Sequence, residues 1–233
     1  MKKLFLMYST LSVLLCLLSC SKNSDEEITL SIAPSNVTLH SDETFQMSGT
    51  NVAQWKSKDY FVAEVNEKGF ITGRHVGTTQ IVASNGKESA ICEVTIVPRY
   101  DLFDTPILEW GASKSTIQSK ENHQQMTSSS TSTMLAYDYS KNNKSCALFY
   151  YFSNGKLSRI DAYMDLLQYV NVGSHLTERY APLNVEDDLV MFADGYTKGE
   201  MTTVVGLQTQ KISGTELTYI SYIPSNQQNS PQQ

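Results

Sequence analysis

Arg159 and Asp161 lie two residues apart in a run of alternating apolar and polar residues, so on a strand both side chains point to the same face. Tyr150 and Tyr163 are read onto that face from the same hairpin. A guanidinium, a carboxylate and two phenols together can recognise a polar ligand through hydrogen bonds and ring stacking. The plainer reading is a cross-strand charge pair on a solvated sheet face. Tyr150, Arg159, Asp161 and Tyr163 are the candidate binding residues.

Other groups lack a chemical partner in the sequence. Glu186-Asp187-Asp188 is a charge run between predicted elements and reads as a solvated turn. Ser128 to Ser132 is rich in hydroxyls, but no Gly-x-Ser-x-Gly elbow accompanies it. No phosphate-binding or dinucleotide glycine loop occurs, and no alternating-Asp calcium loop. His40, His75, His123 and His175 are scattered, and read as surface or loop residues with no metal-ligand spacing. No cofactor and no catalytic group are expected, so the chain reads as a non-enzyme. A net charge of -6 offers no basic stripe for nucleic acid.

The candidate face depends on a hairpin at Asn154-Gly155, where both turn residues tolerate positive φ. Its two-residue loop predicts Phe152 opposite Leu157 and Phe149 opposite Ile160. Large apolar residues on both faces place the hairpin centrally in its sheet. Ser113 is a plausible cap for a short helix carrying Ile117. A strand is predicted over 133–139, and Tyr169, Val172, Leu176 and Tyr180 predict a helix over 166–181 that stops at Pro182. Strands follow over 189–193, 201–209 and 217–223. Helix, three strands, helix, three strands predicts an α+β layer, one antiparallel sheet with both helices on one face. Ten of the 13 Tyr fall between positions 137 and 222, a side chain enriched at interfaces as well as in cores.

Residues 28–98 read differently. Short alternating strands are separated by turn signals such as Asn66-Glu67-Lys68-Gly69 and Asn85-Gly86, which predicts a small antiparallel sandwich with Trp55 as its packing centre. Trp55-Lys56-Ser57-Lys58-Asp59, Val62-Ala63-Glu64-Val65, Gly69-Phe70-Ile71-Thr72-Gly73, Gly77-Thr78-Thr79-Gln80-Ile81 and a last strand ending at Pro98 follow in order. This series resembles the bacterial immunoglobulin-like group 2 module. The resemblance implies an Ig-like β-sandwich of the kind found in adhesins and surface proteins, often as a spacer. Over 99–224, Trp110-Gly111-Ala112-Ser113, Tyr151-Phe152-Ser153-Asn154-Gly155-Lys156-Leu157 and Leu176-Thr177-Glu178-Arg179-Tyr180 resemble the C-terminal domains that follow such modules in Bacteroides lipoproteins of unassigned function.

The N-terminus supplies an address. Lys2 and Lys3 precede a short apolar run, and Leu17-Leu18-Ser19-Cys20 closes it. This resembles a bacterial lipoprotein signal, which implies cleavage before Cys20, lipid on that residue and a membrane partner reached through the lipid. The acidic stretch up to Glu27 is similar to surface-export signals of Bacteroidetes lipoproteins. Only Cys92 and Cys146 then remain, both at apolar strand positions and read as small buried hydrophobes rather than a bridge.

The expected protein is mainly β: signal peptide 1–19, tether 20–27, Ig-like sandwich 28–98, α+β domain 99–224 and a disordered tail 225–233. It is expected at the outer membrane, lipid-anchored, on the cell surface or the periplasmic face. The expected role is an Ig-like stalk presenting a domain that binds a glycan or a surface protein. A hydrolase or inhibitor-like domain acting on envelope polymers, or a purely structural component, is the alternative.

Overall fold

A computed structural model of the chain describes residues 29–227. The expected signal peptide, Cys20 and the tether lie outside the described residues. The chain is mainly β with two helices, and it builds two hydrophobic cores, one from residues between Val37 and Ile96 and one from residues between Phe103 and Tyr222.

The first core lies between two small sheets. β2 (Asn36–Leu39), β9 (Ser89–Ile96), β8 (Gly77–Ser84) and β5 (Gln54–Ser57) form one, in that order. β3 (Thr44–Gln46), β7 (Phe70–Gly73) and β6 (Ala63–Val65) form the other, and β1 (Ser31–Ala33) pairs with β4 (Ser48–Thr50) beside them. The pairs are antiparallel except β2 with β9, which is parallel, a departure from the purely antiparallel sandwich expected. Alternation along β8 and β9 sends Ile81, Ala83, Cys92 and Val94 fully inside. Trp55 is not the packing centre. It is partly buried at the margin of the core, where an added Cβ on Gly49 or Gly69 would sit 2.9 Å from its ring. A ring that wide fits only where the backbone beneath it carries no side chain.

The second unit is one eight-stranded antiparallel sheet. Its strands are β10 (Gln124–Gln125), β11 (Met134–Lys141), β12 (Lys144–Ser153), β13 (Lys156–Asp165), β14 (Ala181–Glu186), β15 (Leu189–Ala193), β16 (Thr203–Ile212) and β17 (Thr215–Pro224). Their order is β10-β11-β12-β13-β17-β16-β15-β14. The predicted doubling is present with four strands per half instead of three. Each half is a helix followed by a meander, and the two halves meet antiparallel at their last strands, β13 and β17. The helices are α1 (Lys114–Lys120), capped by Ser113 as predicted, and α2 (Tyr169–Thr177). Ile117 of α1 and Val172 and Leu176 of α2 join one core with Leu148, Ile160 and Ile220, so both helices cover the same face.

α2 is shorter than the periodicity suggested. Residues 166–168 form a 3-10 turn before it, and the chain has left the helix before Pro182, which lies in the edge strand β14. An edge strand tolerates a residue without an N–H. The C-terminal segment expected to be disordered starts with a 3-10 turn over Ser225–Gln227, in which Ser225 donates to the Met201 carbonyl at 2.7 Å. Residues beyond it lie outside those described.

Candidate functional site

The helices leave the opposite face of the large sheet uncovered, and the central hairpin decides which side chains reach it. Ser153 pairs with Lys156 and Phe152 with Leu157, as the turn predicts, but Tyr151 then pairs with Arg159 because Ser158 is an extra residue in β13. An uninterrupted register would have set Tyr150 against Arg159. One inserted residue shifts every later partner and exchanges the faces on β12 relative to β13. Phe149 therefore stands opposite Asp161 rather than Ile160, and Tyr150 stands opposite Ile160.

Tyr150 is accordingly a core residue and is withdrawn from the candidate site. It is 0% exposed, its hydroxyl donates to Glu121 Oε2 at 2.5 Å, and it accepts the Ile107 N–H at 3.1 Å. Arg159, Asp161 and Tyr163 do share the uncovered face. With Tyr151, Tyr219 and Ser221, which the sequence reading did not assign to the site, they line a cavity of about 520 Å³ over β13, β17, β16 and β15. Cys20 lies outside the described residues.

The carboxylate at the base of this cavity is held from several sides. Tyr219 donates to Asp161 Oδ1 at 3.1 Å and Ser221 at 3.2 Å, while Arg159 Nη2 lies 3.3 Å from Oδ2. Burial raises the Asp161 pKa, and the Arg159 charge and the two hydroxyl hydrogen bonds oppose the rise. The Tyr219 phenol is pushed up to about 12, by burial first and by the Asp161 charge second. The Arg159 guanidinium carbon sits 4.3 Å from the centre of the Tyr151 ring, a cation–π position. Tyr163 and Tyr219 stack at 5.0 Å, and Phe149 meets Tyr163 edge-on at 5.8 Å. Side-chain exposure separates the two charges: 47% for Arg159 against 3% for Asp161. An incoming group meets the cation.

A larger cavity, about 670 Å³, lies between the two units and includes none of the predicted residues. Its two arginines and Glu178 are engaged internally. Arg74 pairs with Glu64 at 2.6 Å and Arg99 with Glu43 at 3.0 Å. Both oxygens of the buried Glu178 carboxylate accept the Arg99 N–H at 3.0 Å, one of them also takes the Tyr100 N–H at 2.9 Å, and the Glu178 carbonyl accepts the Val76 N–H at 2.7 Å. Tyr196 stacks on Tyr60 and tilts against Phe61 and His75. This is a joint between sandwich and sheet.

Of the histidines expected at the surface or in loops, His40, His75 and His123 do lie in loops, and His175 departs from the expectation by lying buried in α2. His175 is 1% exposed and stacks on Phe103 at 4.1 Å, His75 is buried against Phe61, and His123 stands between Glu121 at 2.6 Å and Asp104 at 3.2 Å. Cys92 and Cys146 are free and buried, in separate cores.

No family profile and no curated protein matches the chain. Two solved fragments of the surface-layer protein SbsC overlap with it. Domains 5-6 do so at 12% identity over 84% of each chain, with a TM-score of 0.27. Domains 4-9 do so at 10% identity over 88% of this chain and 27% of that one, also with a TM-score of 0.27. A likeness this slight supports no inference about what the protein does.

Proposed function

We propose that this chain is a lipid-anchored cell-envelope protein, attached through Cys20, in which the β-sandwich is a stalk and the eight-stranded domain is a non-catalytic binding module for a glycan or a protein. The observation that supports binding is the arrangement on the uncovered face. Arg159 is held by a buried carboxylate and a tyrosine ring and presented in a cavity rimmed by aromatic side chains. Polar groups fixed in a concave site beside apolar and aromatic side chains such as Met191 and Tyr163 are characteristic of ligand sites. Hydrolysis of a glycosidic bond uses two carboxylates, and Asp161 is the only one lining this cavity. The resemblance to surface modules and to a lipoprotein signal supports the address, the outer membrane with the chain on the cell surface or the periplasmic face.

The test is capture of envelope glycans and proteins by the full chain and by the Arg159→Ala/Tyr163→Ala double variant. Both side chains are at least partly exposed, and because Asp161 loses its ion-pair partner, circular dichroism checks that the variant folds. Loss of capture supports the face as the binding site. Undiminished capture by a folded variant removes it.

A further inference from the structure

The cavity over β13, β17, β16 and β15 has a chemistry more specific than a general binding face. Arg159 and Asp161 are its only charged lining residues, and Asp161 is covered. The ligand-facing potential is therefore that of one guanidinium, fixed from behind by the carboxylate and from the side by the Tyr151 ring. Among the described residues, Asp161 is the only ion-pair partner of Arg159, the Tyr151 hydroxyl is its other polar neighbour, and the guanidinium side chain remains 47% exposed. A planar fork of this kind matches a carboxylate through two parallel hydrogen bonds.

The remaining lining points to what carries that carboxylate. Gln208 and Gln210 stand two residues apart on β16, on the same face, with side-chain amides engaged by no hydrogen bond among the described residues. Each amide offers donors and an acceptor, the pattern a vicinal hydroxyl pair requires. The Tyr163 ring, stacked beside Tyr219, supplies a flat apolar surface for the C–H face of a pyranose. All four strands under the cavity, β13, β17, β16 and β15, are interior to the sheet and paired on both sides. Their backbone groups are in ladders, so an extended peptide has no edge here on which to add a strand. Only side chains can read the ligand.

We propose that this cavity binds a carboxylate-bearing sugar, a uronic acid or related acidic residue of a glycan. Arg159 grips the carboxylate, Tyr163 lies under the ring, and Gln208 and Gln210 bond the hydroxyls. This rests on the binding reading given above and narrows it.

The test is calorimetric titration of the full chain, in detergent, with glucuronate, galacturonate and N-acetylneuraminate, with glucose and galactose as neutral counterparts and N-acetyl-Asp-Asp as an acidic peptide. At least one acidic sugar binds saturably, and its neutral counterpart binds roughly 10-fold or more weakly, the loss expected when a charge-assisted hydrogen bond is removed. Arg159→Gln lowers the acidic-sugar affinity by roughly 10- to 100-fold and leaves neutral sugars unchanged, while Arg159→Lys falls between because it keeps the charge without the fork. Equal binding of acidic and neutral sugars, an Arg159→Gln variant with full affinity, or saturable binding of the peptide alone overturns the assignment. In each of those cases, loss of the remaining binding in Tyr163→Ala leaves the face a binding site. If no probe binds and envelope capture is insensitive to the face, the assignment and the binding reading fall together.

Discussion

Tyr151 faces Arg159 across the central hairpin, with the guanidinium carbon 4.3 Å from the ring centre, because Ser158 is an extra residue between Leu157 and Arg159. The pairs on either side of Ser158 are in register with each other once it is left out. Deleting Ser158 should therefore give an uninterrupted two-residue hairpin with Tyr151 still opposite Arg159, at a cost within about 1–2 kcal/mol. Deleting Ala162, buried in the ladder between Leu148 and Ile220, inverts the faces of the rest of β13 and should leave no folded protein. Urea denaturation of the two deletions decides this. Equal damage from both would mean that the bulge itself is required.

Tyr150 should behave as a core residue. Tyr150→Ala opens a cavity under the sheet and should destabilise by about 3–5 kcal/mol. Tyr150→Phe removes the donor to Glu121, whose side chain is only 5% exposed, and should cost about 1–3 kcal/mol. Thermal unfolding measures both, and ligand capture by Tyr150→Phe should equal that of the unaltered chain. A binding defect in a stable Tyr150→Phe protein would return Tyr150 to the site.

His175 gives an acid-side stability slope. Its ring lies in the core, its Nδ1 is 2.9 Å from the Tyr100 carbonyl, and burial, assisted by the Arg179 charge, lowers its pKa to about 3. Unfolded, it titrates near the ordinary value of about 6.5. Between those values the unfolded chain binds a proton that the folded chain does not, so stability falls as pH drops through that window, by at most about 5 kcal/mol. Asp161 works in the opposite direction, since its raised pKa lets the folded state take up a proton more readily. His175→Gln keeps Asp161 unchanged and should flatten the slope of unfolding free energy between about pH 6 and pH 4. An unchanged slope would show that His175 is charged in the fold.

Glu178 should control the joint. Its carboxylate closes the start of the interdomain link by accepting the Arg99 and Tyr100 N–H groups, and its carbonyl binds Val76 of the sandwich. Glu178→Gln turns an amide donor toward backbone donors and should cost about 1–3 kcal/mol. It should also speed proteolytic cleavage within 99–106. Cleavage as slow as in the unaltered chain would mean that the aromatic contacts of Tyr196 hold the joint by themselves.

The sequence determined the class of each half and most of its elements. Alternation at period two is a property of neighbouring residues, so β8, β9 and six of the eight strands of the large sheet could be found in it, as could the Ser113 cap and the Asn154-Gly155 turn, whereas the edge strands β10 and β14 could not. The pair Arg159 and Asp161 was readable for the same reason, since residues two apart on a strand share a face whatever the fold. Tertiary structure decided what depends on non-local pairing. Ser158 carries no signal of being a bulge, because either register buries apolar residues on a hairpin that is apolar on both faces; only packing of Tyr150 against Glu121 and the Ile107 backbone selects between them. Tyr219 and Ser221 reach Asp161 because β17 pairs with β13 across more than fifty residues of intervening chain. His175 became a core residue because its helix lies against Phe103, a contact that no spacing along the chain encodes.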